Sequence, residues 1–210
     1  MTFGALNRAI LRSSTRADVD RCGLCEVPVA DGHAHVFDER TGELACACRA
    51  CALLFEKDGA GAGHYRLVPD RRVRLTGVSV ADLGVPVRLA FFVVGLDGAV
   101  VARYPSPMGA TAWTVDPSAW TAVSAQNPDL ASMLPAVEAL LTSSIREADE
   151  QWLVPVDDCY RLVGVIKGAW TGLSGGDRVW TAVEAFFAQL AEGGHRPGTS
   201  ARPHRPREGN

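Results

Sequence analysis

The chain has 210 residues, of which 47% are hydrophobic and 21% charged, and its formal net charge is −3. This composition excludes a wholly disordered chain, and no segment approaches the roughly 18 consecutive apolar residues of a membrane-spanning helix. The acidic balance, with an isoelectric point near 5.9, gives no general attraction to nucleic acid or to anionic lipid. The unusual component is cysteine: six are present, and five of them fall within 30 residues.

Residues 1–20 form an N-terminal arm in which apolar residues are interleaved with arginines such as Arg8 and Arg12. A secretory signal needs a continuous apolar segment of about 7–15 residues, which this arm lacks. We interpret the arm as a short amphipathic helix, while its arginine and serine content is also that of a mitochondrial presequence. The first interpretation places the protein in the cytoplasm, where paired cysteines indicate metal binding rather than disulfides.

Two pairs of cysteines carry the clearest chemical signal, each with a gap of two residues. Cys22 and Cys25 form the first pair, and Cys48 and Cys51 form the second, which begins after 22 intervening residues. A two-residue gap lets both sulfurs of a pair turn toward one ion, and two such pairs complete a tetrahedral four-thiolate shell. The spacing therefore predicts a metal site made by these four cysteines.

Cys46 is an alternative ligand, because it lies only two residues before Cys48. It could replace Cys48 in the shell, act as a redox-active neighbour, or point its sulfur into the hairpin. His33 and His35 are also near in sequence and could be ligands. With four well-spaced cysteines available, we expect these histidines on the surface of a loop.

Residues 21–58 are predicted to fold as one small metal-binding finger. Two short strands, Ala34 to Phe37 and Glu43 to Cys46, flank a turn that ends at Gly42, and a helical composition follows Cys48. A knuckle, a hairpin and a helix that carries the second pair resemble a treble-clef or zinc-ribbon module. We expect Zn²⁺ in a closed structural site, since about 40 residues bury too little core to be stable alone. A single Fe held by the same thiolates, as in rubredoxin, is the alternative.

A glycine-rich joint at residues 59–63 precedes a larger domain, predicted over residues 64–192. Apolar runs predict its strands, which are Tyr65 to Val68, Val73 to Val80, Val87 to Gly95, Ala99 to Tyr104 and Trp152 to Val156. Apolar stripes at helical spacing predict helices near residues 120–124, 130–149 and 179–190, and Asp157 is expected to cap another. The predicted fold class is α+β, with a mainly antiparallel sheet packed on one side by helices.

Two arginine-rich segments bear on nucleic-acid binding. Residues 193–210 hold four arginines against one acid and are predicted to be a disordered basic tail. Inside the larger domain, Arg66, Arg71, Arg72 and Arg74 make a basic patch. Because the folded part is net acidic, we interpret the patch as a solvated face and expect no nucleic-acid partner.

Two further motifs are interpreted as structural. Cys159 follows Asp157 and Asp158, whose carboxylates oppose formation of a reactive thiolate, so we expect a buried core cysteine. Leu173 to Asp177 resembles the signature loop of ABC transporter ATPases, but the chain lacks the phosphate-binding sequence that such proteins need. Ser174 is therefore expected to cap a helix.

Several segments between residues 22 and 190 resemble an uncharacterised actinobacterial family whose genes are associated with nickel–iron hydrogenase clusters. The segments that carry this resemblance are the two cysteine pairs with Cys46 to Phe55, Tyr65 to Pro69, Tyr104 to Pro107, Val154 to Gly164 and Gly172 to Gly176. The resemblance implies a cytoplasmic metal-binding accessory protein that docks a hydrogenase subunit or maturation factor, without membrane insertion.

Two other functions remain open from the sequence. A rubredoxin-like protein would carry one electron on an iron held by the four thiolates, and a nucleic-acid-binding zinc finger would use Arg66 to Arg74 and the tail. Enzymatic activity is the less favoured expectation. A filled four-thiolate shell leaves no open coordination position, and no set of acid, base and nucleophile is evident.

Overall fold

The computed structural model describes residues 20–56, 63–84, 87–106, 109–145, 149–172 and 175–193. Within these residues, nine strands form two antiparallel sheets, of three and six strands. The strands are β1 (Ala34–Asp38), β2 (Glu43–Ala47), β3 (Tyr65–Leu67), β4 (Val73–Arg74), β5 (Leu89–Val94), β6 (Val100–Ser106), β7 (Gly109–Thr114), β8 (Glu138–Ser143) and β9 (Glu150–Pro155). The fold class is mixed α+β, as predicted.

Five α-helices accompany the strands in the described part of the chain. They are α1 (Arg49–Leu53), α2 (Pro117–Ser124), α3 (Pro128–Ala131), α4 (Val156–Ala169) and α5 (Gly176–Gly193). None of the described helices is both long enough and apolar enough to cross a membrane. The predicted basic tail lies outside the described residues except for Gly193, and the predicted arm does so except for Asp20. Ser174 also lies outside them.

The small sheet has the strand order β2-β1-β3 and follows the cysteine knuckle. The β1–β2 hairpin closes at Gly42, which has a φ of +70° and donates its N–H to the Asp38 carbonyl. A non-glycine residue would be strained there. The predicted succession of knuckle, hairpin and short helix is confirmed.

Strand β3 completes the small sheet, because Tyr65–Leu67 pairs with Val36–Asp38 of β1. The predicted division of the chain assigned this strand to the larger domain, beyond the glycine-rich joint. The pairing shows that a strand from beyond the joint contributes backbone hydrogen bonds to the cysteine module. The domain boundaries themselves stay a prediction.

The large sheet has the strand order β4-β9-β8-β5-β6-β7, which places β5 and β8 in its interior. Successive residues of β5 face opposite sides. Leu89 and Phe91 pack with helices α4 and α5, whereas Ala90 and Phe92 pack with residues of α2 and α3. The prediction that β5 is covered on both faces is confirmed. The prediction that helices cover only one side of the sheet is wrong.

The segment predicted as a helix over residues 130–149 contains a strand instead. Among its described residues, only the end of Pro128–Ala131 is α-helical, and Glu138–Ser143 is strand β8, all six residues of which are buried. A strand covered on both faces has no polar alternation, so its apolar run matches a helical stripe equally well. Ala136, with a φ of +66°, lies in the turn that separates the two elements.

Three smaller predictions also need correction. The strand predicted over Val73 to Val80 is reduced to the two residues of β4. The strand predicted over Ala99 to Tyr104 extends two residues further as β6, which pairs with β7 as far as Ser106 and Gly109. Pro105 lies beyond the residues of β6 that pair with β5, so its missing N–H leaves that ladder intact. Asp157 lies in the first turn of α4, whose N-cap is Pro155.

Apolar packing joins the small sheet to the large one, and an ion pair with a buried carboxylate lies beside this contact. Val68, Val137 and Val156 form a buried cluster against which Phe37 and Leu44 of the hairpin pack.

Beside this cluster, Arg71 binds both carboxylate oxygens of Glu138, each at 2.9 Å. Glu138 has no exposed surface, and it also accepts the N–H of Leu134 at 2.8 Å.

We predict that Arg71→Ala lowers the free energy of unfolding by about 3 kcal/mol, because it leaves the buried Glu138 carboxylate without its cation. Urea unfolding measures this loss. Arg66→Ala is the matched control: its partner Glu39 is 28% exposed, so the loss should stay below about 1 kcal/mol. Equal losses for the two variants would contradict the prediction.

Candidate metal centre

The first cysteine pair lies in a tight knuckle held by backbone hydrogen bonds. Cys22 donates its N–H to the carbonyl of Val27 at 2.9 Å, and its own carbonyl accepts the N–H of Glu26 at 2.8 Å. Glu26 adopts a φ of +63°, which lets the chain turn back after Cys25. Arg21 stabilises this strained turn by donating to the Glu26 carbonyl at 3.0 Å.

Gly23 allows the knuckle to approach strand β2 closely. Its N–H donates to the carbonyl of Cys46 at 2.8 Å. A Cβ at this position would lie 2.9 Å from the Cβ of Ala45, well inside van der Waals contact. A side chain at residue 23 would therefore push the first cysteine pair away from the hairpin that carries the second.

The second pair lies where β2 passes into α1. Cys48 is the N-cap of this helix in an extended conformation, and its Sγ accepts the N–H of Cys51 at 3.5 Å. Cys51 lies in the first turn of the helix, so the cap brings the two sulfurs of the pair to one side. A side-chain acceptor at the N-cap is an ordinary way to begin a helix, and here a sulfur supplies it.

The structure brings Cys22, Cys25, Cys48 and Cys51 together, with all four sulfurs within 4.8 Å of one another. The Sγ atoms of Cys25 and Cys48 are 3.7 Å apart. A tetrahedral shell with metal–sulfur bonds near 2.3 Å has edges of roughly 3.8 Å, so the spacing fits one ion at the centre. The four cysteines are clustered and able to hold a metal ion.

Without a cation, the crowded sulfurs divide their protons unevenly. Burial would raise the pKa of Cys22, but N–H groups of Cys48, Leu24 and Cys25 donate to it and lower its pKa to about 6. Contacts with the sulfurs of Cys25 and Cys48 raise the pKa of Cys51 to about 12. One anionic sulfur thus opposes ionisation of its neighbours, and a divalent cation at the centre would remove that opposition.

Cys46 does not belong to the four-sulfur cluster, and lies with His33 and His35 instead. It is paired with His35 across the hairpin, so both side chains project from the face of the sheet opposite to Val36 and Ala47. His33 lies in the loop before β1, as expected, whereas the expectation that His35 also lies in a loop is wrong, because it is a residue of β1. Neither ring is fully on the surface: both are half-buried, because this face packs toward helix α4.

His35 is held against the first turn of α4. Its Nδ1 lies 2.8 Å from Oδ2 of Asp157. Burial lowers the pKa of His35, but contacts with Asp157 and with Cys46 outweigh burial and raise that pKa to about 9. The surroundings of this ring therefore favour a positive charge.

Cys159 is fully buried within the core between the large sheet and α4, as expected. Burial raises its pKa well above the ordinary value, and the Asp158 and Asp157 carboxylates raise it further. The thiol is therefore neutral and packs as a small apolar side chain.

The arginines of the predicted basic patch bind carboxylates or an aromatic ring. Arg66 pairs with Glu39, Arg71 with Glu138, and Arg72 with both Asp70 and Asp158. Arg74 lies over the ring of Trp152. These pairings were not expected from the sequence. Three of the four charges are thus neutralised within the fold. The expectation that nucleic acid is not a partner stays a prediction.

The fold and the cysteine cluster together define a mixed α+β protein with an N-terminal four-cysteine site that can hold a metal ion. The chain belongs to DUF5947, a family of unknown function, whose profile matches residues 21–194. Comparisons with curated proteins and with solved structures found no match.

We predict that Gly23→Ala weakens metal binding and lowers the free energy of unfolding by about 1–3 kcal/mol, because the new methyl group overlaps Ala45. Metal release to a chromogenic chelator and chemical unfolding measure the two effects.

Gly164→Ala is the matched control. Gly164 is exposed on α4, and nothing lies within 4 Å of the added Cβ. This change should leave metal binding unaltered and stabilise the helix by up to about 1 kcal/mol. If both variants released metal at the wild-type rate, the close approach at Gly23 would be unimportant for the site.

Proposed function

We propose that the four cysteines hold one structural Zn²⁺ in a cytoplasmic accessory protein that acts by docking a partner rather than by catalysis. The arrangement of the four sulfurs carries the first part of the proposal. Two pairs at tetrahedral spacing leave no ligand position for a substrate, which is the pattern of structural zinc sites. All six cysteines are free thiols, in keeping with a reducing compartment.

The small apolar core of the module supports a stabilising role for the metal. Its buried residues are Val36, Ala47 and Ala52, with a few partly buried neighbours such as Leu24 and Phe55. Three short strands and a five-residue helix bury little apolar surface. A metal that binds only the folded module would supply the missing free energy of folding.

Exposed apolar side chains on the cysteine module support a docking role. Val27 beside the knuckle is 45% exposed, and Leu53 and Leu54 at the end of α1 are 49% and 56% exposed. Apolar side chains left in water on a small module are commonly used for contact with another protein. We propose a hydrogenase subunit or maturation factor as that partner, on the strength of the sequence resemblance alone.

An electron carrier with a single Fe in the same shell is the second candidate. The observation in its favour is the exposure of Cys25, which would give an electron a short path from the metal to a partner. Such a protein would be red and would bleach reversibly on reduction, whereas zinc gives no colour.

Elemental analysis and a visible spectrum of protein purified without added metal decide between these candidates. We expect zinc and no visible absorbance in the wild type, and one metal ion fewer in Cys48→Ser, because three thiolates hold zinc less tightly than four. Cys159→Ala is the control and should keep the full metal content, since Cys159 lies in the core of the larger sheet. Bound iron would contradict the zinc proposal, and an unchanged metal content in Cys48→Ser would contradict the four-cysteine site.

The docking role predicts that the protein co-purifies with a hydrogenase subunit or maturation factor, identified by mass spectrometry. The Leu53→Ser/Leu54→Ser variant should lose most of this capture, because the change removes apolar surface without touching a ligand. Leu96→Ser provides the comparison, since Leu96 is 48% exposed in the β5–β6 turn. Absence of these partners from the wild-type sample would refute the proposed partner, and equal capture by both variants would refute the proposed surface.

A further inference from the structure

A second group of metal-ligating side chains lies on the other face of the β1–β2 hairpin. His33, His35 and Cys46 each offer a donor atom, and these atoms lie within 4.8 Å of one another. The two imidazole rings have centroids 4.7 Å apart. Asp157, at the start of α4, adds a carboxylate oxygen 2.8 Å from His35 Nδ1. Two imidazoles and a thiol thus converge on this face, and a carboxylate from a distant part of the chain contacts one of the two rings.

The hydrogen bonding of His33 leaves one nitrogen free to bind an ion. Its Nδ1 lies 3.0 Å from the carbonyl oxygen of Ala30. A carbonyl only accepts, so Nδ1 carries the hydrogen and Nε2 of the neutral ring has a lone pair. That Nε2 is buried and has no hydrogen-bond partner in the described structure. Metal-bound histidines commonly hold their other ring nitrogen against a backbone carbonyl in this way.

His35, two residues further along the chain, has its Nδ1 2.8 Å from the Asp157 carboxylate. A carboxylate in this position commonly accepts the Nδ1 hydrogen of a metal-binding histidine, which leaves Nε2 as the ligand atom. The buried Nε2 of His33 has no such partner in the described structure, and an unsatisfied buried polar atom is costly. A cation bound by both rings would satisfy that nitrogen and would take the place of the second proton that His35 otherwise binds.

We propose that His33, His35 and Cys46 form a second metal site, for a divalent transition-metal ion such as Zn²⁺, and that Asp157 holds the His35 ring in place. Imidazole and thiolate together suit the ions of the later first transition row, whereas Mg²⁺ and Ca²⁺ require oxygen donors. Cys46 is thereby a ligand of this second ion and not a substitute for Cys48.

The second site is separate from the four-cysteine cluster because of strand geometry. Side chains alternate along β2, so Cys46 projects opposite to Ala45 and Ala47, which pack in the core of the cysteine module. The second site also depends on Asp157 of α4, which holds the His35 ring. It would therefore tie the hairpin to the larger sheet, whereas the four-cysteine site stabilises the module alone.

A cavity of about 390 Å³ adjoins the second site and is bounded in part by Arg72, Asp158 and Arg161. The side chains of His35 and Asp157 are each 25% exposed. An ion could therefore enter from solvent after the chain has folded. The two arginines pair with Asp158, which leaves Asp157 to hold the His35 ring.

The test adds Co²⁺ to zinc-loaded protein and measures both metal content and the visible spectrum. After removal of loosely bound metal, the wild type should hold two metal ions per chain. Its cobalt spectrum should show a single thiolate-to-metal band together with visible d–d bands. Cys46→Ser should lose the thiolate band, and His33→Ala/His35→Ala should hold one ion per chain.

Two controls keep the result independent of folding. His64→Ala should retain two ions, because that ring stacks on Tyr65 and takes no part in the cluster. Cys48→Ser should lose the four-cysteine metal and keep the cobalt bands, which separates this proposal from the structural zinc site. One ion in the wild type, two ions in the double histidine variant, or an unchanged thiolate band in Cys46→Ser would each overturn the second site.

Discussion

The alternation of side chains along the β1–β2 hairpin is the constraint on which both metal proposals depend. Val36, Ala45 and Ala47 face the knuckle and α1, and form the small core beneath the four sulfurs. His35, Phe37, Leu44 and Cys46 face the larger sheet and the start of α4. A one-residue change of register would exchange these two sets, so the pairing of β1 with β2 decides that Cys46 joins His35. Cys48 joins the other group because β2 ends at Ala47 and the chain turns there into α1. Cys46 and Cys48 therefore belong to different groups of metal-ligating side chains, although they are only two residues apart.

The parts of the fold that the sequence predicted are those with a strong local signal. The spacing of Cys22, Cys25, Cys48 and Cys51 indicated one cluster, because each two-residue gap reports a turn that brings sulfurs together. The hairpin was predicted from short apolar strands around Gly42, and α5 from a regular stripe of buried residues at helical spacing. In each case neighbours along the chain determine the structure.

The features that the sequence did not predict depend on residues that are distant along the chain. Strand β8 has no polar alternation because both of its faces are covered by other elements, so its apolar run matches helical spacing equally well. The role of His35 depends on Asp157, more than 100 residues away, which the fold places beside it. The two-residue separation of His33, just before β1, from His35 within it did carry a signal, since residues so spaced along an extended chain share a face. Without the partner, however, that signal could not be distinguished from a pair of solvated side chains.

The pairing of β3 with β1 has a practical consequence for dissecting the protein. A fragment that ended within the glycine-rich joint would lack Tyr65–Leu67 and would expose the edge of β1, where backbone groups of Val36–Asp38 are otherwise paired. Open edges of this kind recruit other chains and promote aggregation. The smallest fragment that preserves the whole three-stranded sheet must therefore extend through Leu67, and the remaining piece would begin next to Val68, at the apolar contact between the two sheets.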